Sequence, residues 1–327
     1  MATQEVTLPD YVEYGGRVTA PGEFDCSGGR FRAFVLDGDK HAISELIDKM
    51  FNRPSRAEVS FRALTGKVVA LIGWFDTVRA MTSPWDEMGS VREEQLSLWV
   101  PVAQGHEQNG RFVADRLLMA VPYIFVDNPM SYAGGRETYG FPKSLGRFTF
   151  PGGIDGDMTA STYGGDYDTG ARAEWCEVMK IDRKGSGVPG EVEHLKGEQA
   201  FIDHITEGQL DPGHPPLLPE GIQLVEQAIR DALAGRSHQL FLKQFRDATV
   251  PGAACFQEIV EAPIKITDTS ADYWPGVWQV EITSLDSHPM CKELGLKSQT
   301  TVASYSMEMS FICGRGTRVW PKTLAPA

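Results

Sequence analysis

The amino-acid sequence predicts a mainly β chain (α+β), in which a largely antiparallel barrel carries a few peripheral helices. Three observations support this prediction: apolar strand-like runs are numerous, strict two-residue alternation marks the C-terminal part, and only two stretches have a helical period. Because so few helices separate the strands, the helical crossovers that join parallel strands are missing. Antiparallel pairing in a barrel is therefore favoured.

Two stretches have the apolar period of an amphipathic helix. Residues 39–51 carry apolar side chains at helical spacing and begin at Asp39, a typical N-cap residue. Residues 219–235 repeat the pattern, with Pro219 at the start and Gly235 at the end. We expect both helices to lie outside the barrel.

Most of the other apolar sequence predicts strands. Residues 68–75 and 117–126 are nearly continuous apolar runs, which indicate strands buried on both faces. Residues 278–285 and 301–312 alternate between apolar and polar side chains instead. On the second of these, one face carries Ala303, Tyr305, Met307, Met309 and Phe311.

The chain is expected to form a single domain over residues 1–327. Residues 151–215 are rich in Gly, Asp and Ser, and predict a loop-rich insertion of hairpins and surface loops in the barrel. No repeat and no composition break divides the chain further.

Charge and cysteine usage narrow the class of partner. The net charge of −13 argues against nucleic acid and anionic membranes, which bind basic surfaces. Five scattered cysteines without a CxxC pair suit free thiols in a reducing compartment. Neither a signal peptide nor an apolar run of about 18 residues is found. We therefore expect a cytoplasmic protein, and the charge does not identify its partner.

Common cofactor and hydrolase motifs are missing. The seven histidines have no HxH or HExxH spacing, and GGRETYG lacks the spacing of a phosphate-binding loop. No GxSxG sequence marks a serine hydrolase. We expect neither a metal nor a cofactor.

The segment GRETYGFPKS, residues 135–144, places one lysine behind an apolar wall. A short polar turn is expected to join it to the strand at 117–126, so that Tyr139, Phe141 and Pro142 crowd Lys143. An ammonium in such surroundings loses hydration, which favours the free amine, and a free amine attacks a ketone to form an imine. Without further information, a loop lysine is ordinarily solvated.

The same segment closely resembles the signature of the acetoacetate decarboxylase superfamily, GRE-x-x-(Gly/Ala)-aromatic-Pro-Lys. The preceding YIFVDNPMSYAGGRE resembles the lead-in to that signature, and residues 241–247, 255–268 and 273–282 are similar to later strands of the family. The likeness covers most of the chain in order and is loosest at 151–215. It implies the antiparallel double β-cone barrel of this family, no cofactor, and assembly as a homo-oligomer.

The resemblance also implies residue roles. Lys143 falls on the imine-forming lysine. In VREEQLSLWVPV the best match to a family glutamate is Glu94, with Glu93 one register away as the alternative. A family arginine falls near Arg30, with Arg32 as the alternative.

Residues around the lysine are expected to support it. Tyr139 and Phe141 would contact the substrate, and Pro142 would shape the neck of the loop. Arg136 and Glu137 carry opposite charges, and we interpret them as an ion pair that holds the loop.

One departure from the family bears on the reaction. In the decarboxylase proper a second lysine follows the first, whereas this chain has Ser144. Burial alone can still favour the free amine of Lys143. We therefore expect a lyase, with decarboxylation of a β-keto acid larger than acetoacetate narrowly preferred.

Two alternatives to decarboxylation remain open. One is an aldolase/dehydratase that joins a pyruvate-like keto acid to an aldehyde on the same imine. The other is a non-catalytic barrel that binds a carbonyl compound or an apolar ligand.

Overall fold

The structure is a computed structural model and describes residues 10–13, 19–185 and 236–322. The strands are β1 Phe24–Asp37, β2 Ser60–Ala63, β3 Lys67–Ala80, β4 Val91–Gln108, β5 Arg111–Val126, β6 Lys143–Thr149, β7 Met158–Gly164, β8 Glu174–Gly185, β9 Arg236–Arg246, β10 Ala254–Tyr273, β11 Val277–Ile282, β12 Gln299–Thr301, β13 Ser304–Cys313 and β14 Thr317–Trp320. The helices are α1 Lys40–Ile47, α2 Pro129–Thr138 and α3 Met290–Leu294, with a π-helical turn at Asp48–Asn52 and a 3₁₀ turn at Trp85–Met88.

Seven strands close into a barrel. Their order is β5–β9–β10–β13–β1–β3–β4, and pairing of β4 with β5 completes the ring. Only the short β5–β9 contact within this ring is parallel. The mainly β, largely antiparallel barrel predicted from the sequence is confirmed.

The barrel wall separates two apolar regions. On β3, Val69 and Leu71 point into the barrel, whereas Val68, Ala70 and Ile72 pack against an outer layer of strands. Because successive side chains of a strand point to opposite faces, both faces of such a strand must be apolar. This double burial explains the continuous apolar runs.

The outer layer consists of β6, β7, β8, β11 and β12, and it joins the barrel through a parallel pairing of β6 with β5. Within the predicted insertion, residues 158–164 and 174–185 are the paired strands β7 and β8. Their side chains Met158, Ala160, Val178 and Ile181 are fully buried in the core shared with the barrel. This part of the segment is a structural layer, and its Gly- and Asp-rich stretches form the turns.

The first predicted helix is present. Asp39 caps α1 by accepting a hydrogen bond from the backbone N of Ala42 at 2.7 Å, and Ile43, Leu46 and Ile47 are buried. The second predicted helix, at 219–235, lies outside the described residues. No helix within the described ranges is long and apolar enough to cross a membrane.

A β-bulge in β1 decides which of its side chains enter the barrel. Between Cys26 and Gly29, β1 holds one residue more than its partner β13. Phe24 and Cys26 line the barrel interior before the bulge, and Phe31 and Ala33 belong to the interior cluster after it. The extra residue therefore inverts the alternation of the strand.

Candidate active site

Lys143 is the first residue of β6 and is fixed from both sides. Its backbone pairs with Ile124 of β5, and its carbonyl oxygen accepts a hydrogen bond from Arg136 Nη1 at 2.9 Å. Arg136 lies in the last turn of α2, the helix that immediately precedes the lysine. Backbone pairing and the arginine together fix the direction in which the side chain leaves the strand.

The predicted polar turn between β5 and Lys143 is in fact the ten-residue helix α2. Asn128 caps it by accepting from the backbone N of Met130 and Ser131, and Pro129 occupies its first position. Asn followed by Pro is a helix-start signal, but Gly134 and Gly135 weaken the intrinsic helical tendency of the segment. These glycines are the buried residues of the helix, and Gly135 lets its backbone approach the Lys143 side chain closely.

The amine of Lys143 is buried among polar partners at one wall of the barrel. Its side chain is 8% exposed and that of Glu93 is 4% exposed, and Nζ lies 3.4 Å from Glu93 Oε2. Ser131 of α2 contacts the same Nζ through its hydroxyl. Glu93 can therefore exchange a proton with the amine, and Ser131 can orient it.

Aromatic rings form the neck around this amine. Tyr139 and Phe141 stack with centroids 4.9 Å apart, Phe141 lies 4.3 Å from Phe241, and Lys143 Nζ is 5.6 Å from the Phe141 centroid. Burial raises the pKa of Tyr139, whose hydroxyl donates to the Gly314 carbonyl at 3.0 Å. The neck is therefore apolar on the side that faces the lysine.

Gly140 makes the turn in this neck. Its φ is +78°, and a Cβ there would lie 2.4 Å from the Lys243 Cα. Both the left-handed conformation and the close approach of β9 require a residue without a side chain.

A cavity of about 320 Å³ fills the barrel interior and reaches Lys143. Most of its wall is aromatic or aliphatic, and its polar lining includes Glu93, Gln95, Ser97, Ser131 and Lys143. Trp99 and Gln95 both donate to the Ser97 hydroxyl, at 2.7 and 3.3 Å. The arrangement is a buried amine and carboxylate at the edge of a large apolar space.

The comparisons with known proteins add evidence on the fold. No family model matches the chain, and no curated protein matches it. Among solved structures, acetoacetate decarboxylase from Legionella pneumophila aligns over 96% of this chain and 92% of its own, with 14% identity and a TM-score of 0.53. The fold is that of acetoacetate decarboxylase. An acetoacetate decarboxylase-like enzyme from Sphingomonas wittichii RW1 aligns over 95% of this chain and 98% of its own, with 13% identity and a TM-score of 0.53.

A second kind of neighbour has the same barrel. The enduracididine biosynthesis enzyme MppR, in complex with pyruvate, aligns over 94% of this chain and 95% of its own, with 10% identity and a TM-score of 0.50. At such identities the likeness establishes the acetoacetate decarboxylase fold and leaves the reaction to the residues of this chain.

On β4, Glu93 and Glu94 lie on opposite faces of the barrel wall. Glu93 lines the cavity, whereas Glu94 forms an ion pair with Arg92 at 2.8 Å, away from the lysine. Burial raises the pKa of Glu94 although Arg92 opposes the shift, and the backbone N of Glu94 donates to Asp127 at 2.8 Å. The structure thus brings Glu93, the alternative match, to Lys143, and it does not bring Glu94 there.

The two candidate arginines face out of the barrel. Arg30 is an exposed cation 3.9 Å from Asp76. Arg32 is buried in the outer layer, where it contacts Asp155 and Ser306 and stacks over Trp274 at 4.3 Å. Neither lines the cavity, because the bulge in β1 places Phe31 and Ala33 inside and the arginines outside.

Arg136 and Glu137 contact different groups. Arg136 donates to the Lys143 carbonyl and lies over the Tyr132 ring at 5.4 Å, whereas Glu137 accepts a hydrogen bond from the Tyr11 hydroxyl. The predicted ion pair between them is not formed, because successive helical side chains point in different directions. Arg136 still holds the loop, through its hydrogen bond to the backbone carbonyl of Lys143.

Ser144 faces the outer layer, on the side of β6 opposite to Lys143. Its hydroxyl lies 3.0 Å from His288 Nε2, and His288 Nδ1 lies 3.0 Å from the Ser287 hydroxyl. Burial lowers the pKa of His288. A neutral imidazole therefore lies behind the position at which the decarboxylase proper has its second lysine.

Several residues of the site were not predicted from the sequence. Ser131 lies in the segment interpreted as a turn. The one signal for its position was the Asn-Pro helix start, because a helix in this segment can direct the Ser131 side chain back toward Lys143. Cys26 and Cys313 also line the cavity, and burial raises the pKa of Cys26 and raises that of Cys313 to about 12. Protonated thiols of this kind belong to the apolar wall and are poor nucleophiles. Within the described residues, His, Cys, Asp and Glu side chains form no group of three suited to a metal.

Proposed function

We propose that this protein is a Schiff-base lyase that acts on a keto acid through Lys143. The observation that carries the proposal is a buried amine, 3.4 Å from the Glu93 carboxylate, which opens onto an apolar cavity. A lysine needed only for folding gains little from such burial, because desolvating both ions offsets most of their attraction. Because it opens onto a cavity, the amine of Lys143 can react with a bound carbonyl compound.

The residues suffice for a complete reaction cycle. Glu93 accepts the proton that the Lys143 ammonium must lose, and the neutral amine adds to the substrate ketone. Glu93 then returns this proton to the departing hydroxyl, so that water leaves and a protonated imine forms beside an ionised Glu93. The bond from the α-carbon to the carboxylate then breaks, CO2 leaves, and the electron pair forms an enamine. Glu93 takes up a proton from water and delivers it to the enamine carbon, and hydrolysis of the resulting imine releases the ketone and restores Lys143.

The charges around the cavity favour decarboxylation over aldol chemistry. A pyruvate-like substrate keeps its carboxylate and needs a cation to hold it, whereas a β-keto acid loses its carboxylate as neutral CO2. Among the described lining residues, the cations are Lys143 and Arg79, and Arg79 already lies 3.1 Å from Asp25. An apolar wall disfavours a carboxylate and does not oppose the departure of CO2.

The aldolase/dehydratase alternative rests on one neighbour. MppR has this fold and was solved with pyruvate. In the present chain, however, Arg30 and Arg32 lie outside the cavity, so we place this reaction second.

Borohydride trapping tests the proposal. Wild type and Lys143→Ala would be incubated with acetoacetate, longer β-keto acids or pyruvate, reduced, and analysed by intact mass and peptide mapping. We expect an adduct on Lys143 in wild type and none in the variant. A trapped ketone without its carboxylate indicates decarboxylation, and a trapped intact pyruvate indicates the aldolase/dehydratase. If no carbonyl compound gives an adduct, the enzyme proposal is wrong and a binding barrel takes its place.

A further inference from the structure

The cavity extends well beyond the neighbourhood of the lysine. Alternate residues of β4 from Val91 to Pro101 all line it. Ten residues of an extended strand cover about 33 Å. Acetoacetate would occupy only the part next to Lys143.

Two apolar clusters meet in this space. The first surrounds the lysine and includes Val121, Ile124, Tyr139 and Ile264. The second, which we call the distal wall, comprises Val69, Leu71 and Met307 on β3 and β13. Trp99 packs against both clusters and so connects them, beside the polar side chains of Gln95 and Ser97 on β4.

The rim of the cavity is apolar as well. Trp85, Met88 and Met130 line it, and Met88 and Met130 are 69% and 40% exposed. Exposed large apolar side chains next to an apolar cavity are typical of a site that takes up an apolar ligand. Methionine also adapts its shape to different ligands at little cost.

We infer that the natural substrate is a β-keto acid with a medium-length apolar tail, alkyl or aryl, which lies against the distal wall while its ketone reaches Lys143. This inference rests on the proposed function, and it adds the class of substrate. The tail would replace water against Val69, Leu71 and Met307. Selectivity between substrates would therefore depend on how much apolar surface each tail buries.

A chain-length series tests the inference. CO2 release would be measured with acetoacetate, with the straight-chain β-keto acids of six, eight and ten carbons, and with benzoylacetate. Each buried methylene should raise kcat/KM about fourfold until the cavity is full. Borohydride trapping with the matching methyl ketones would run in parallel.

A matched pair of variants locates the tail. Met307→Trp fills the distal wall, whereas Glu308→Trp adds the same ring on the exposed outer face of β13. We expect Met307→Trp to lower the ratio of ten-carbon to four-carbon kcat/KM at least tenfold, and Glu308→Trp to leave that ratio near the wild-type value. Should Met307→Trp fail to fold, the wild-type series decides alone.

The outcomes separate the two proposals. Adducts on Lys143 together with a flat or falling chain-length series would overturn the apolar-tail inference and leave the lyase intact. No CO2 release and no adduct with any member would overturn both. A rising series that is flattened by Met307→Trp supports both.

Discussion

At the scale of single residues, the position of Glu93 beside Lys143 follows from strand geometry. Glu93 has the same parity as Gln95 and Ser97, which line the cavity, and Glu94 has the parity of Leu96, which is buried in the outer core. A shift of one residue along β4 exchanges the two environments. The two carboxylates therefore form a natural test pair.

Glu93→Gln should lower kcat about 10²- to 10⁴-fold, because general acid–base catalysis by one side chain contributes about that much. Glu94→Gln, one residue away, should have a far smaller effect, since its side chain pairs with Arg92 on the other face. Steady-state CO2 release with both variants is the measurement. A larger loss in Glu94→Gln would contradict the assignment of Glu93.

At the scale of elements, α2 positions the lysine through a close contact at Gly135. A Cβ on Gly135 would lie 3.0 Å from Lys143 Cδ and 3.1 Å from Cε, whereas a Cβ on Gly134 would meet its nearest atom, the Thr19 Cα, at 4.0 Å. Both glycines belong to the same helix. Of the two, only Gly135 lies against the side chain of Lys143.

Gly135→Ala should lower kcat about tenfold or more, because a small displacement of Lys143 misaligns its attack. Its free energy of unfolding should change by less than about 1 kcal/mol, since alanine also favours the helix. Gly134→Ala should gain about 0.5–1 kcal/mol of stability and retain activity. Urea unfolding and CO2 release would be measured on both. An equal loss of activity in the two variants would refute this role of Gly135.

Elements were more predictable than side-chain directions. The apolar runs in β3 and β5 and the alternation in β13 indicate strands because burial imposes those patterns. On β4 the polar residues Glu93, Gln95 and Ser97 alternate with Leu96 and Leu98. Such a pattern ordinarily places the polar face in water, so it does not indicate that Glu93 enters the barrel.

The bulge in β1 places Arg30 outside the cavity, and its sequence signal, the adjacent Gly28 and Gly29, was not interpreted as a bulge. Lys143 was predicted because GRETYGFPKS resembles the family signature, since its apolar neighbours alone leave a solvated loop lysine as the ordinary interpretation.

At the scale of the whole molecule, His288 connects the barrel to the outer layer. Its ring lies 5.5 Å from Phe125 of β5, and its Nε2 lies 3.0 Å from the Ser144 hydroxyl. Since burial lowers its pKa, the folded protein holds fewer protons here than the unfolded chain does. The stability from this site is complete above the unfolded value of about 6.5 and is lost as the pH falls below it.

His288→Asn should therefore reduce the dependence of stability on pH. Between about pH 7 and pH 5, wild type should lose more of its free energy of unfolding than the variant, because only wild type must take up a proton at this site. Urea unfolding of both proteins at several pH values gives the two slopes. Parallel slopes would show that folding does not lower the pKa of His288.

The bulge between Cys26 and Gly29 has an evolutionary consequence. Its extra residue exists relative to β13 only, because β1 remains in register with β3 from Phe24 to Asp37. A one-residue deletion must therefore break the pairing with β3 before it can bring Arg30 or Arg32 into the apolar cavity, so the interior resists gaining a cation by this route. A Gly28 deletion assayed with pyruvate would test that resistance.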